Sequence, residues 1–186
     1  MCNAFNTARK PEALRSAHFP GDTRLIRRTD PAPVILPSGE IKTMRWGFQR
    51  KSLGPVNNTR SDNLDSSMWR DAITKRRCLI PVTSHYEWTG PIGHKITHLF
   101  QNPKNEWLWI AGLWEDSPDH GPCFSMLTTE ANSLVAPIHH RMPAILTPDE
   151  QKIYLDKGLT TFQPAPELLI TKTTLNPLLK NPPTHI

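Results

Sequence analysis

The sequence predicts a strand-rich fold of antiparallel or mixed sheets with a few short helices, and three observations lead there. Nineteen prolines are spread almost throughout the 186 residues, which breaks the chain into short elements and argues against a helical bundle. Six apolar or β-branched runs are each bounded by turn residues. Helix start signals are clear at only two places. The length suits one domain with room for a substantial core.

In chain order, the expected strands are residues 34–36, between prolines, then 41–48, 78–88, 107–114, 123–128 and 143–146. The first helix is expected after Asp65-Ser66-Ser67, where small polar residues precede Met68, Trp69, Ala72 and Ile73 at helical spacing. It ends in Lys75-Arg76-Arg77, cations that suit a helix C-terminus. The second opens at Thr147-Pro148-Asp149-Glu150, which combines a threonine cap, proline at the first helical position and glutamate three residues after the cap. Residues 129–136 are expected as a third helix. After Phe162 the prolines and weak periodicity predict a tail, about residues 163–186, that wraps the surface or frays.

Composition narrows the function. No apolar run approaches the ~18 residues of a membrane span, and no secretory signal is legible, so a cytoplasmic protein is expected. Cys2, Cys78 and Cys123 are widely spaced and odd in number, which argues against a disulfide framework and for thiol chemistry. The cysteines show no CxxC pairing, so no metal is expected, and no cofactor is implied. The net charge of +5 is uneven: residues 1–77 hold 15 Lys/Arg against 7 Asp/Glu, residues 78–186 hold 7 against 10. A basic N-terminal part suits a phosphate-backbone partner. Six tryptophans, several beside arginine as in Arg45-Trp46 and Trp69-Arg70, offer surfaces on which unpaired bases stack at ~1–3 kcal/mol each. Most tryptophans are core residues, so one or two are expected to face a ligand.

Cys2 is the most informative residue. Removal of Met1 would turn its thiol into a 1,2-aminothiol. An N-terminal amine titrates at ~7.7–8.0 against ~10.4 for lysine, so near neutrality it offers roughly 300-fold more free nitrogen to a carbonyl. The neighbouring thiol then closes a five-membered thiazolidine on an aldehyde first caught as an imine. Three further segments carry chemistry. Asn57-Asn58-Thr59-Arg60-Ser61-Asp62 is a polar cluster, in which Asn58 also fits a turn residue and Arg60 a local ion pair. Glu87 lies between Tyr86 and Trp88, where partial desolvation raises a carboxyl pKa toward neutrality, unless strand alternation turns it to water. His139 and His140 supply an imidazole, the natural proton shuttle at cellular pH, or a surface histidine.

With these segments in this order the chain resembles the SOS-response-associated peptidase (SRAP) family of abasic-site processing proteins over nearly its whole length. The resemblance rests on the Met-Cys start, Trp46-Gly47-Phe48, Asn58-x-Arg60, Arg77-Cys78-Leu79-Ile80-Pro81 leading to Tyr86-Glu87-Trp88, Ala111-Gly112-Leu113-Trp114, and Thr128-Thr129 through His139-x-Arg141-Met142-Pro143. It implies a single-domain α+β fold and autocatalytic loss of Met1. It also implies covalent capture by Cys2 of the aldehyde of an abasic site in single-stranded DNA, a crosslinking and lyase-type activity in a cytoplasmic, nucleoid-associated setting of bacterial or phage type. The family's catalytic positions fall on Cys2, Asn58, Glu87 and His139. Asn58 would hold the terminal amine or a sugar hydroxyl, Glu87 would deprotonate the amine, and His139 would move protons during ring opening. Arg60 and Trp46 would bind a phosphate and stack on a base, with Arg27, Arg28 and Arg141 as further DNA contacts.

The chain departs from the family pattern in four places. Cys2-Asn3-Ala4 stands for Cys-Gly-Arg, Arg27-Arg28-Thr29 for Ala-Pro-Thr, Asp62 for glutamate and His140 for an acid. Two other functions use the same residue types: a cysteine peptidase or amidohydrolase acting in trans, and a non-catalytic single-stranded DNA-binding module in which Cys2 is never unmasked. Intact mass separates the last, because retained Met1 leaves no aminothiol.

Overall fold

A computed structural model describes residues 2–16, 21–50, 54–159, 161–163 and 169–179. In chain order its strands and helices are β1 Ala4–Ala8, β2 Thr23–Arg27, β3 Pro31–Ile35, β4 Ile41–Trp46, β5 Phe48–Arg50, β6 Gly54–Val56, β7 Asn58–Arg60, α1 Arg70–Lys75, β8 Arg77–Val82, β9 Ser84–Thr89, β10 Ile96–Gln101, β11 Leu108–Ser117, β12 Gly121–Glu130, β13 Arg141–Pro143, α2 Pro148–Asp156 and β14 Ile170–Thr174. The class is α+β, as expected, with mostly antiparallel sheets and two short α-helices among the described residues.

Two sheets place the functional residues. In the first, pairing runs β11–β8–β3–β4–β12 and returns from β12 to β11, so five strands close a barrel-like circuit in which only the β4–β12 step is parallel. Strand alternation divides its side chains. Val34, Met44, Ile80, Ile110, Phe124 and Met126 pack in one core, while Leu79, Ala111, Leu113, Cys123 and Leu127 pack in a second with Trp69, Ala72 and Tyr154 of the helical segments. This explains why β8 reads as a continuous apolar run: both of its faces are buried. At Gly112 of β11 the strands approach so closely that a Cβ would stand 2.9 Å from Ile80 Cδ1 and 3.0 Å from Cys78 Sγ.

The second sheet has the order β14–β10–β9–β1–β2. One face carries Ala4, Tyr86 and Leu99 with Leu25 and Trp88 against them, whereas Phe5, Ile26 and Phe100 of the opposite face join the barrel core. Residues 78–88, expected as one strand, are therefore two strands in two sheets. The chain switches at Thr83, whose N–H donates to Asn6 O at 2.8 Å, and the Thr7 hydroxyl ties β1 to Pro81 O at 2.7 Å.

Other expectations need correction. The first helix begins at Arg70 rather than after Ser67: the Ser66 hydroxyl donates to Asn63 O in the preceding turn, and no side chain caps the helix. Residues 129–136 are not a helix. Thr129 and Glu130 extend β12 against Met142 and Arg141, and the Asn132 side chain then accepts Val135 N–H at 3.0 Å, closing a local turn. In the expected tail, residues 170–174 form β14, an edge strand on β10; residues 164–168 and 180–186 lie outside the described residues. The second helix carries the expected capping box.

Candidate active site

Cys2, Asn58, Glu87 and His139 come from four separate segments. Glu87 lies on β9 facing the barrel side of its sheet, next to the start of β1, and it is 2 % exposed. Burial raises its carboxyl to about 7, against the pull of the positive amino terminus. Cys2 is buried just before β1, and its thiol donates to Ala4 O at 3.2 Å. Burial first, and then the negative charge of Glu87, push the thiol pKa well up, so it is neutral at physiological pH. Asn58, on β7, donates from Nδ2 to Cys2 O at 2.8 Å, and its Oδ1 is buried with no hydrogen-bond partner among the described residues. The amide thus fixes the backbone of residue 2 and keeps one acceptor open beside it.

His139 precedes β13. Its Nδ1 meets the Arg141 backbone, 2.9 Å from N and 3.1 Å from O, and burial lowers its pKa, so the ring is neutral at physiological pH. Between the two candidate histidines the positions differ: His139 stacks on His140 at 4.5 Å, with His140 on the exposed side.

Two open clefts meet at Asn3 and His139. One, of about 550 Å³, is lined by Arg28, Asn58, Arg60 and Arg141; the other, of about 360 Å³, by Glu87, Trp88, Lys95 and Asn176. The cationic candidates fare differently. Arg28 donates to Asn57 Oδ1 at 3.0 Å and reaches into the first cleft. Arg60 lines it too, yet its guanidinium binds Asp62 at 2.9 and 2.6 Å, an ion pair that holds Asp62 down at about 2. Arg141 is buried, donates to Thr128 O and lies 3.5 Å from Asp62. Arg27 is exposed at the end of β2, outside the lining of either cleft.

Trp46 is a correction. Rather than facing a base it has no exposed surface, meets Phe5 edge-on at 4.9 Å and donates from Nε1 to Asn57 O at 2.9 Å. Arginine beside tryptophan suggests a surface, but a distant partner decides the matter. Asn57 returns a bond from Nδ2 to Trp46 O at 2.8 Å, and at Gly47, with φ +128°, a Cβ would stand 3.1 Å from that amide. Sequence reasoning missed the roles of Asn57, Asn3 and Lys95. The Trp-Gly pair and the doubled asparagine were the available signals for Asn57. Met1 lies outside the described residues. No helix among the described residues is long and apolar enough to cross a membrane.

Comparison with known proteins agrees with this fold and this order of motifs. The chain is similar to the abasic site processing protein YoqW of Bacillus subtilis (strain 168), 30 % identical over 131 residues, 64 % of this chain and 58 % of that protein. It is also similar to the abasic site processing protein HMCES of Gallus gallus, 30 % identical over 144 residues, 59 % of this chain and 43 % of that one. The match thus spans roughly half the length of these curated relatives. A crystal structure of a Bordetella bronchiseptica protein superposes with a TM-score of 0.75 at 22 % identity, covering 93 % of this chain and 99 % of that chain. A Bacteroides thetaiotaomicron protein does so at 0.71 and 24 %, covering 91 % and 84 %, and both likenesses speak to the fold. The family model described as SOS response associated peptidase (SRAP) matches residues 1–178, and the chain belongs to that family.

Proposed function

We propose that this chain processes abasic sites, by forming a covalent thiazolidine between the aminothiol of Cys2 and the ring-opened aldehyde of the damaged sugar in single-stranded DNA. One observation carries the reading: Asn58, a carboxyl raised to about 7 and a neutral imidazole gather around residue 2 where an arginine-lined cleft meets the cleft that Glu87 lines. The names of the similar relatives support the substrate class.

The steps follow from the groups present. Loss of Met1 by the chain's own chemistry frees the Cys2 amine. Glu87 takes a proton from the ammonium, and Asn58 Oδ1 accepts an N–H of the amine and aims it. His139 takes the proton of the C1 hydroxyl as the ring opens and returns it to the ring oxygen. The amine adds to the aldehyde and water leaves; the thiol adds to the imine, and the product is the five-membered ring. A thiol kept neutral by burial suits this second, intramolecular addition, for which proximity replaces thiolate character. Arg28, Arg60 and Arg141 hold flanking phosphates, with Arg27 further out. The same imine permits lyase-type strand scission. The protein acts in the cytoplasm on DNA, and no metal or cofactor enters these steps.

The Sγ–Ala4 O bond gives the thiol a carbonyl partner, whereas a peptidase dyad would give it a histidine. The test incubates Met1-free protein, verified by intact mass, with an oligonucleotide in which one uracil has been excised. An SDS-resistant conjugate is expected, and Cys2→Ala should abolish it. A Met1-free protein that yields no conjugate overturns the proposal.

A further inference from the structure

Glu87 needs a route to solvent. Closing a thiazolidine from a protonated amine, a thiol and an aldehyde yields one water and one proton, and once a sugar fills the cleft that Glu87 lines, a carboxyl only 2 % exposed has no direct path to bulk water. The register of the second sheet offers one route. His98 on β10 is the direct cross-strand partner of Glu87 on β9. Directly opposed residues in an antiparallel pair project from the same face with Cβ atoms ~4.5–5.5 Å apart. The next pair on that face verifies it: His85 and Phe100, also direct partners, stack at 5.0 Å. His98 is partly exposed, and Thr89 Oγ1 holds its Nε2 at 2.9 Å, so the ring is anchored with Nδ1 as its other nitrogen.

We propose, resting on the function given above, that His98 is the relay residue that carries the proton from Glu87 to solvent. The carboxyl O–H passes its proton to Nδ1, directly or through one water. The carboxylate is restored, the imidazolium releases the Nε2 proton toward Thr89 and bulk water, and neutral His98 is recovered. His98 touches no substrate; it acts through Glu87. The other titratable groups around Glu87 suit this task less well. His85, two residues earlier on the same face, is fully buried with neither ring nitrogen partnered, so it has no contact with water. His139 is tied at Nδ1 to Arg141 and serves the sugar, Cys2 is a reactant, and Lys95 lies in the cleft as a cation. On the far side His98 faces Thr173 of β14, which does not titrate.

The experiment measures single-turnover crosslinking against pH in dilute buffer for wild type, His98→Ala and His98→Gln, with and without added imidazole. His98→Ala is expected to be slower by at least about tenfold, with DNA binding unchanged and the rate recovered by imidazole. His98→Gln fills the space and keeps a Thr89 partner, so it should be equally slow and not recover. Wild-type rate and pH profile in either variant, or a slow His98→Ala that imidazole does not restore, overturns the relay. A second reading needs no crosslink: the carbon-13 titration of the Glu87 carboxyl should shift its midpoint by about 0.5 unit or more in His98→Gln, and an unmoved midpoint also overturns the relay. Should wild type form no conjugate, the proposed function falls, and this titration decides the Glu87–His98 coupling separately.

Discussion

At the scale of single residues, the buried carboxyl has a measurable signature in stability. An unfolded glutamate titrates near 4.5, and Glu87 in the fold titrates at about 7. Between those values the native state binds more protons than the unfolded state, so this residue's contribution falls as pH rises through that window. The penalty is complete only above pH 7. Glu87→Gln keeps the shape and removes the charge. Its unfolding midpoint is therefore expected to exceed that of wild type at pH 8, by an amount corresponding to roughly 2–3 kcal/mol, with the gap closing toward pH 5. His85 works in the opposite sense. Burial lowers it to about 3, so stability is lost as pH falls below its ordinary value of 6.5, but this cancels when the two proteins are compared. Thermal melts across pH 5–8 check the prediction, and a pH-independent gap would contradict a neutral buried Glu87.

At the scale of elements, α2 shows how local signals succeed. Glu150 N–H donates to Thr147 Oγ1 at 3.4 Å, Thr147 N–H donates to Glu150 Oε2 at 2.8 Å, and the partnership is confined to four consecutive residues. Thr147→Ala should cost about 1 kcal/mol, a fall of about 2–4 °C in Tm for a chain of this size; an unchanged Tm would mean that tertiary bonds dominate, chiefly Arg77 on the carbonyls of Leu155 and Asp156 and Tyr154 on Gly112 O. Where the deciding partner is remote, the sequence misleads. β1 reads as polar Asn-Thr because Asn6 bonds Ser84 and Tyr86, some 80 residues away, and Thr7 bonds Pro81. β14 is mostly exposed and has no apolar stripe, so only its ladder with β10 reveals it. The site follows the same division. Cys2, Asn58, Glu87 and His139 stood out by residue type and order, whereas the burial of Trp46 depends on Asn57, and the placing of Asn3 and Lys95 on how strands fold together.

At the scale of the whole molecule, the surplus of positive charge in residues 1–77 reaches the site unevenly. Arg60 and Arg141 both meet Asp62, so their charge is partly spent within the protein. Arg28 instead binds neutral groups, Asn57 Oδ1 at 3.0 Å and Pro55 O at 3.4 Å. Its positive charge therefore projects into the arginine-lined cleft unneutralised by these partners. It sits in the turn between β2 and β3, which joins the second sheet to the barrel, and the next residue, Thr29, holds φ at +74°. Single-stranded DNA releases counterions in proportion to the phosphates neutralised, ~0.7 per contact. Arg28→Ala should then reduce the slope of log affinity against log salt by about that amount, while Arg60→Ala should reduce it less because Asp62 competes. Asp62→Asn provides the converse: removing the carboxylate frees Arg60 and Arg141 for phosphate, so affinity should rise and the slope steepen. Anisotropy titrations of a labelled single strand from 50 to 300 mM salt, conditions over which the contact term changes affinity severalfold, decide the matter. If Asp62→Asn binds more weakly than wild type, Asp62 orients the two arginines toward DNA rather than competing with phosphate for their charge.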